Sequence, residues 1–329
     1  MIRVLIVADD PSTRRSLGEL FSATRDFLVV GSVGSDEKAI RAAKRLRPDV
    51  VSLDAVLSGM SPAQVVREVL ATHPVPVVLV GDAPQSTVEV FEALTAGALD
   101  FVRRPLPGDV GSAVRMLETL RALSRVKVQR RYKRASHQDG ASAAEVIVVA
   151  SSTGGPAPLQ ILLSELPADF AVPLVVAQHL IPGFEKGLAE WLSRSSRIEV
   201  RLATNRDVLL PGVALIARPD TDAVIVSRSA LELRPTEHGG FHPSADELFA
   251  STASVFGAGT LAVVLSGIGH GGSDGARAVV AAGGRVFSQD RESSAVFGMP
   301  AEVARQGLAS VVAPPEGLAK AICDAVARG

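Results

Sequence analysis

A serine, a histidine and a set of carboxylates stand in this sequence where they could do chemistry. The run Val146 to Pro156 reads Val-Ile-Val-Val-Ala-Ser-Ser-Thr-Gly-Gly-Pro, so an apolar strand delivers three hydroxyls straight into two glycines. A serine hydroxyl attacks a carbonyl effectively only when a base takes its proton. The apolar stretch 173–177 ends in Gln178-His179. A histidine at the end of the strand that follows the serine strand can reach Ser152 and serve as that base. The second set lies in the first half of the chain, with Asp9 and Asp10 after one apolar run and Asp54 after another. Carboxylate oxygens of this kind suit Mg²⁺, and a carboxylate beside bound Mg²⁺ can accept a phosphoryl group.

Each set also has a plainer reading. After Pro156, Leu159, Leu162, Leu163 and Leu166 recur on one helical face, which places Ser151, Ser152 and Thr153 near a helix N-terminus. Capping is the commonest work of Ser and Thr there. The same N-terminus, with free N–H groups and the helix dipole, suits a phosphate or the oxyanion of an acyl-transfer intermediate equally well. His179 taken alone fits a hydrogen-bonded structural residue, and each acid taken alone fits a solvated turn.

The elements that must position these groups alternate. Up to about Leu120, short β-branched runs at 2–8, 27–33, 49–53, 77–80 and 101–102 are separated by amphipathic segments. That is the pattern of a parallel sheet with helices on both faces, whose functional crevice lies at the carboxyl ends of the strands. From Val146 the alternation resumes, with further strands expected at 198–202, 213–217, 223–226, 231–234, 260–265 and 285–287. Between them, residues 121–144 carry Arg125, Lys127, Arg130, Arg131, Lys133 and Arg134 and few apolar residues, as a solvated linker does.

Composition bounds the rest. A length of 329 residues suits about two domains, and 34 Lys and Arg against 35 Asp and Glu give no reason to expect nucleic acid as the main partner. The single cysteine, Cys323, excludes a disulfide within one chain and is expected on a buried helix face beside Leu318 and Ile322. Asp9 and Asp10 come too early for a secretory leader, and no apolar run is long enough to span a bilayer. A cytoplasmic protein without stable membrane insertion is expected.

A competing motif lies further on. Leu265-Ser-Gly-Ile-Gly-His-Gly-Gly272 contains a literal G-x-G-x-x-G in Gly267, Gly269 and Gly272, with Asp290 after the following strand. Such spacing also occurs in dinucleotide-binding folds, so an oxidoreductase is an alternative on spacing alone.

Longer stretches decide among these. Val4-Leu-Ile-Val-Ala-Asp-Asp10, Arg47-Pro-Asp-Val-Val-Ser-Leu-Asp54 and Ala96-Gly-Ala-Leu-Asp-Phe-Val-Arg-Arg-Pro105 resemble the receiver domain of bacterial response regulators, over residues 1–120. Ala150-Ser-Ser-Thr-Gly-Gly-Pro156, Val175-Val-Ala-Gln-His-Leu-Ile-Pro-Gly-Phe184, His242-Pro-Ser-Ala-Asp-Glu-Leu-Phe249, Val264-Leu-Ser-Gly-Ile-Gly269 and Ser288-Gln-Asp-Arg-Glu-Ser-Ser-Ala-Val-Phe-Gly-Met-Pro300 resemble the catalytic domain of the CheB protein-glutamate methylesterases, over residues 145–329. The resemblance implies an α/β fold of two domains. The first is a flavodoxin-like (βα)5 receiver and the second a doubly wound, mostly parallel Rossmann-like sheet. It implies hydrolysis of glutamyl methyl esters on chemoreceptors, with deamidation of glutamines, under control of a histidine kinase as phosphodonor.

By the same resemblance Asp54 is the phosphoacceptor, Asp9, Asp10 and Asp54 hold Mg²⁺, and the catalytic domain needs no cofactor. Ser152 is the nucleophile and His179 the base, with Thr153 and the backbone near Ile268 at the oxyanion.

The sequence departs from the family at several places, among them the loop Ala55-Val-Leu-Ser-Gly-Met60, which lacks the family's Met-Pro. Gly81 stands where the receiver family has a switch Ser or Thr, and Arg104 where it has a Lys. The family's His-Arg-Pro-Ser reads Phe241-His242-Pro243-Ser244, and Gly271 falls where the family's catalytic aspartate stands. Asp274, three residues on, is the candidate to replace it. Two readings therefore lead: a methylesterase, or a catalytically weak or inactive relative that works by binding. A serine hydrolase acting on an unrelated ester is a further one.

Overall fold

The computed structural model describes residues 1–34, 37–82, 87–106, 108–125, 143–236 and 242–327. The chain divides into two compact units, Met1–Gln129 and Arg130–Gly329. Most of the expected linker, residues 126–142, lies outside the described residues.

In the first unit the strands are β1 (Ile2–Val7), β2 (Phe27–Val33), β3 (Val50–Asp54), β4 (Val77–Gly81) and β5 (Asp100–Arg103). Between and after them run α1 (Pro11–Ser22), α2 (Glu37–Leu46), α3 (Pro62–Thr72), α4 (Thr87–Thr95) and α5 (Val110–Leu123). The strands pair in the order β2-β1-β3-β4-β5, all parallel. The central strands are mostly apolar because helices cover both faces, and β3 and β4 are buried at every residue. Helix starts are written in the sequence. Asp10 caps α1 ahead of Pro11, Ser61 and Gln64 form a reciprocal capping box on α3, and Asp109 caps α5.

The second unit begins with β6 (Val146–Ser151), α6 (Pro156–Ser164), β7 (Leu174–Gln178), α7 (Glu185–Ser195), β8 (Glu199–Leu202) and β9 (Val213–Ile216). There follow β10 (Thr221–Ser227), β11 (Ala230–Pro235), α8 (Ala245–Phe256), β12 (Thr260–Val264) and α9 (Ser273–Ala281). Last come β13 (Arg285–Gln289), α10 (Met299–Arg305), β14 (Val311–Ala313) and α11 (Pro315–Val326). Seven strands form one parallel sheet in the order β14-β13-β12-β6-β7-β9-β8, and β10 and β11 make a separate antiparallel hairpin.

β6 and β7 are central and adjacent, so the serine and histidine that follow them leave the sheet side by side. The leucine stripe of α6, Leu159, Leu162 and Leu163, is fully buried, as is Leu166 just beyond it. Cys323 lies on α11 between Ile322 and Ala325, but it is only partly buried, because it faces away from the stripe that Leu318 and Ile322 turn to the core.

Candidate functional site

The sharp turn after β6 is made possible by two glycines. Gly154 has φ +71°, in the left-handed region, and a Cβ there would fall 2.6 Å from the Cβ of Ala295. A Cβ on Gly155 would fall 1.9 Å from Ser151 Oγ and 2.7 Å from the Ser152 carbonyl. The chain therefore folds back on itself so tightly that Ser152 projects past the strand end while α6 starts at Pro156. No side chain caps α6, so the capping reading of Ser152 and Thr153 is not what the structure shows.

Ser152 Oγ lies 3.1 Å from His179 Nδ1. The two loops are tied together from beneath. His179 N–H donates to the Ser151 carbonyl at 2.9 Å, and the buried Gln178 Nε2 donates to the carbonyls of Ser152 at 3.0 Å and His179 at 2.8 Å. Gln178 is a positioning residue whose place directly before His179 is its only signal in the sequence. Burial pushes the imidazole down to about 4, a shift opposed by a hydrogen bond with the backbone of Pro243 and by the charges of Asp222 and Asp246, and assisted by His242. The ring is therefore neutral at pH 7, the form a base requires.

The glycine loop after β12 closes the site from the other side. A Cβ on Gly267 would meet Ser152 Cβ at 2.9 Å and Met299 Sδ at 2.2 Å, so the loop carrying Ile268 lies against the nucleophile. Gly267 N–H donates to the Val296 carbonyl, and its own carbonyl accepts from Met299 N–H. Asp290 accepts from Ser293 N–H and Oγ at 2.8 and 2.6 Å, turning the chain after β13. Gly267 thus packs against Ser152, Gly272 against Ala245 and Phe249, and Asp290 closes a turn, which does not suit the dinucleotide alternative.

Gly271 faces the base. A Cβ there would lie 3.9 Å from His179 Cε1, with no other atom of the described residues that it would meet within 4 Å. Asp274 does not take over. It sits in the first turn of α9, largely exposed, paired with Arg277 at 2.8 Å. Phe241 lies outside the described residues, whereas His242 and Pro243 stand beside His179.

In the first unit Asp9 lies near enough for its charge to act on Asp54, whereas Asp10 is turned away from the expected set. Among the described residues no group of three His, Cys, Asp or Glu side chains stands as a metal-ligating cluster. Asp10 turns back to cap α1, accepting from Ser12 N–H at 3.2 Å, Thr13 N–H at 2.9 Å and both hydroxyls. The Ser12 hydroxyl, then the Thr13 N–H and hydroxyl, hold its carboxyl well below the usual carboxylate range. Asp9 accepts from Ser58 N–H at 2.6 Å and Oγ at 2.8 Å.

Asp54, 5% exposed, has its carboxyl pushed up by burial and by the charges of Asp82 and Asp9, against the Val56 N–H at 3.1 Å and the charge of Arg104. The Arg104 guanidinium lies 3.6 Å from both Asp54 and Asp82 and bonds to the Thr13 hydroxyl. Asp10, held as a cap, does not fit the expected Mg²⁺ set as it stands, while Asp9 and Asp54 remain close enough for their charges to interact. At Gly81, a Cβ would meet Ala55 Cβ at 3.0 Å and the Phe101 ring at 3.3 Å, so the missing hydroxyl is matched by missing space.

The family model described as CheB methylesterase matches residues 147–322, and that described as response regulator receiver domain matches residues 4–113. A protein-glutamate methylesterase/protein-glutamine glutaminase of Nitrosospira multiformis is 35% identical over 347 residues, covering 100% of this chain and 98% of the relative. One from Myxococcus xanthus is 37% identical, with 96% of this chain and 94% of the relative covered. The solved CheB methylesterase catalytic domain of Thermotoga maritima superposes with a TM-score of 0.53 at 32% identity, covering 55% of this chain and 98% of that one.

Proposed function

This chain belongs to the CheB methylesterase family and carries a response-regulator receiver domain in front, and on that premise we propose that it hydrolyses glutamyl methyl esters on chemoreceptors and deamidates glutamines there. The observation that carries the reading is the 3.1 Å contact between Ser152 Oγ and His179 Nδ1, at the ends of adjacent parallel strands.

Ser152 Oγ attacks the ester carbonyl carbon while His179 Nδ1 takes the hydroxyl proton. The negative oxygen that forms is received by donors at Thr153 and the backbone of Ile268, where each donor aimed at developing charge is worth about 2.7–4 kcal/mol. Collapse expels methoxide, which leaves as methanol with the proton returned by His179. Water activated by the same imidazole then frees the glutamate side chain and regenerates Ser152. For a glutamine the leaving group is ammonia. Because His179 titrates at about 4, activity is expected to hold through neutral pH and to fall as pH drops through about 4, where the base becomes protonated.

In the receiver, Asp54 is the phosphoryl acceptor and a histidine kinase the donor, with Arg104 the cation beside it; no step is assigned to Mg²⁺. Among the described residues no helix is long and apolar enough to cross a membrane. The chain acts in the cytoplasm on the cytoplasmic parts of receptors, without nucleic acid.

The test is methanol release from a methylated chemoreceptor fragment by the full-length chain. Release that falls to background in Ser152→Ala supports the mechanism, and release unchanged in that variant sinks it. Gly271 favours one other reading, a scaffold retired from catalysis. That reading requires a silent wild type and a Gly271→Asp variant that gains hydrolysis.

A further inference from the structure

The base of this site has a neutral tautomer to keep. With Nδ1 turned to Ser152 Oγ, His179 serves as a base only if its one proton sits on Nε2. In the family that this sequence resembles, an aspartate at position 271 stands where a carboxylate would fix that proton, and here the position is glycine. The imidazole bonds instead to the backbone of Pro243. Proline has no N–H, so its carbonyl is the acceptor and the ring is the donor.

What holds that carbonyl in place is a carboxylate one step removed. Asp222 on β10 accepts, on the single oxygen Oδ1, from the Ser244 backbone N–H at 2.5 Å and bonds to His242 Nδ1 at 3.0 Å. These two partners flank Pro243 in sequence. Ser244 is in turn the N-cap of α8, accepting from Glu247 N–H at 3.2 Å, so the turn is anchored to a helix on its far side. Asp222 and His242 are both largely buried, with side chains 16% and 21% exposed.

We propose that Asp222 is the positioning carboxylate of this site, clamping the turn 242–244 so that the Pro243 carbonyl receives the imidazole N–H and Nδ1 stays turned to Ser152. The inference rests on the reading of Ser152 and His179 as nucleophile and base. The charged and titratable groups that bear on His179 are His242, Asp222 on β10 and Asp246 on α8. Asp246 is engaged elsewhere, accepting from Gly275 N–H at 2.8 Å, and the loop 267–272 contributes no acid.

Position 271 offers an independent check. Gly271 is not among the glycines in the left-handed region, and among the described residues the only atom a Cβ would meet within 4 Å is His179 Cε1, at 3.9 Å. An aspartate can therefore be placed there without backbone strain, its carboxylate at the ring.

The experiment uses the full-length chain, methanol release from a methylated chemoreceptor fragment, and nitrogen NMR of the His179 ring as a tautomer readout. Asp222→Ala is expected to lower kcat by about 10–100-fold, the range for losing a group that orients another, with KM little changed. The ring should lose its single Nε2–H tautomer. Asp222→Asn, which keeps an acceptor for Ser244 N–H, should retain most of the rate. Adding Gly271→Asp to Asp222→Ala should restore kcat and move the acidic limb of the pH profile upward, because a carboxylate at the ring favours the imidazolium.

Unchanged kcat and tautomer in Asp222→Ala would overturn the proposal, as would a double variant no faster than Asp222→Ala alone. If Asp222→Ala does not fold, His242→Ala removes one of the two clamping bonds. It should show the same pattern at smaller size, and no change there would overturn the proposal equally. Should Ser152→Ala prove as active as wild type, the hydrolase reading fails, while the tautomer in Asp222→Ala still decides the role of Asp222.

Discussion

Each half of this protein departs from its family at a strand end, and the two departures are compensated differently. In the first unit, Arg104 stands beside the acid pocket within 3.6 Å of Asp54 and Asp82, and the wall at Gly81 is filled by Ala55 and Phe101. In the second unit, Gly271 places no side chain beside the His179 ring, where a Cβ would lie 3.9 Å from Cε1. One pocket keeps a cation and has the space at Gly81 filled by neighbouring side chains; in the other, a glycine stands where the family's carboxylate would be. Both sheets keep parallel order all the same. A strand-end loop can change its chemistry without disturbing the strands because its side chains are not part of the core. What differs is the replacement: a guanidinium supplies charge directly, whereas a backbone carbonyl supplies only an acceptor and depends on something else to hold it.

If the catalytic pocket depends on backbone placement, crowding that backbone should do more harm than any change in the receiver. Gly155→Ala is the sharpest case. Its Cβ would fall 1.9 Å from Ser151 Oγ, 2.7 Å from the Ser152 carbonyl and 2.9 Å from Gln178 Oε1. The carbonyl is main chain in the nucleophile turn and cannot move without moving Ser152. A displacement near 1 Å costs about 100-fold in rate, so methanol release should fall by about that factor or more. A variant retaining full rate would show that the turn is softer than its contacts imply.

The receiver pocket should answer the equivalent insertion with stability. Gly81→Thr restores a hydroxyl beside Asp54, but its Cβ would lie 3.0 Å from Ala55 Cβ and 3.3 Å from the Phe101 ring. Overpacking of this kind costs about 1–3 kcal/mol, read as a lower midpoint in denaturant unfolding of the chain. An unchanged midpoint would mean that Phe101 can swing aside, and the pocket would be less filled than the contrast with Gly271 requires.

The sheets and the Ser152–His179 pair were legible because they follow from local patterns. Apolar runs mark buried parallel strands, and two consecutive strands that are neighbours in the sheet bring their terminal residues together. At Asp10 the sequence carries two readings, and the structure shows the cap. Asp10-Pro11-Ser12-Thr13 is a helix start as well as a ligand candidate, and Pro at the first helical position favours the cap. Asp222 was not legible at all. Its influence on His179 passes through the backbone on either side of Pro243, and no spacing of residue types encodes a contact between β10 and the start of α8 that runs through a carbonyl.

The smallest expected effect separates the two acids nearest the question. Asp274 is close to Gly271 in sequence and Asp222 is far from it, so sequence proximity alone would favour Asp274 as the carboxylate serving His179. The structure places Asp274 with its side chain 74% exposed, in an ion pair with Arg277 one helical turn on. Exposed pairs at that spacing contribute about 0.2–0.5 kcal/mol. Asp274→Ala should therefore leave methanol release and the His179 tautomer unchanged and shift unfolding by no more than about 0.5 kcal/mol. A large loss of rate in Asp274→Ala would mean that α9 moves its acid into the pocket when substrate binds, and the carboxylate missing from position 271 would then have been replaced from the same loop.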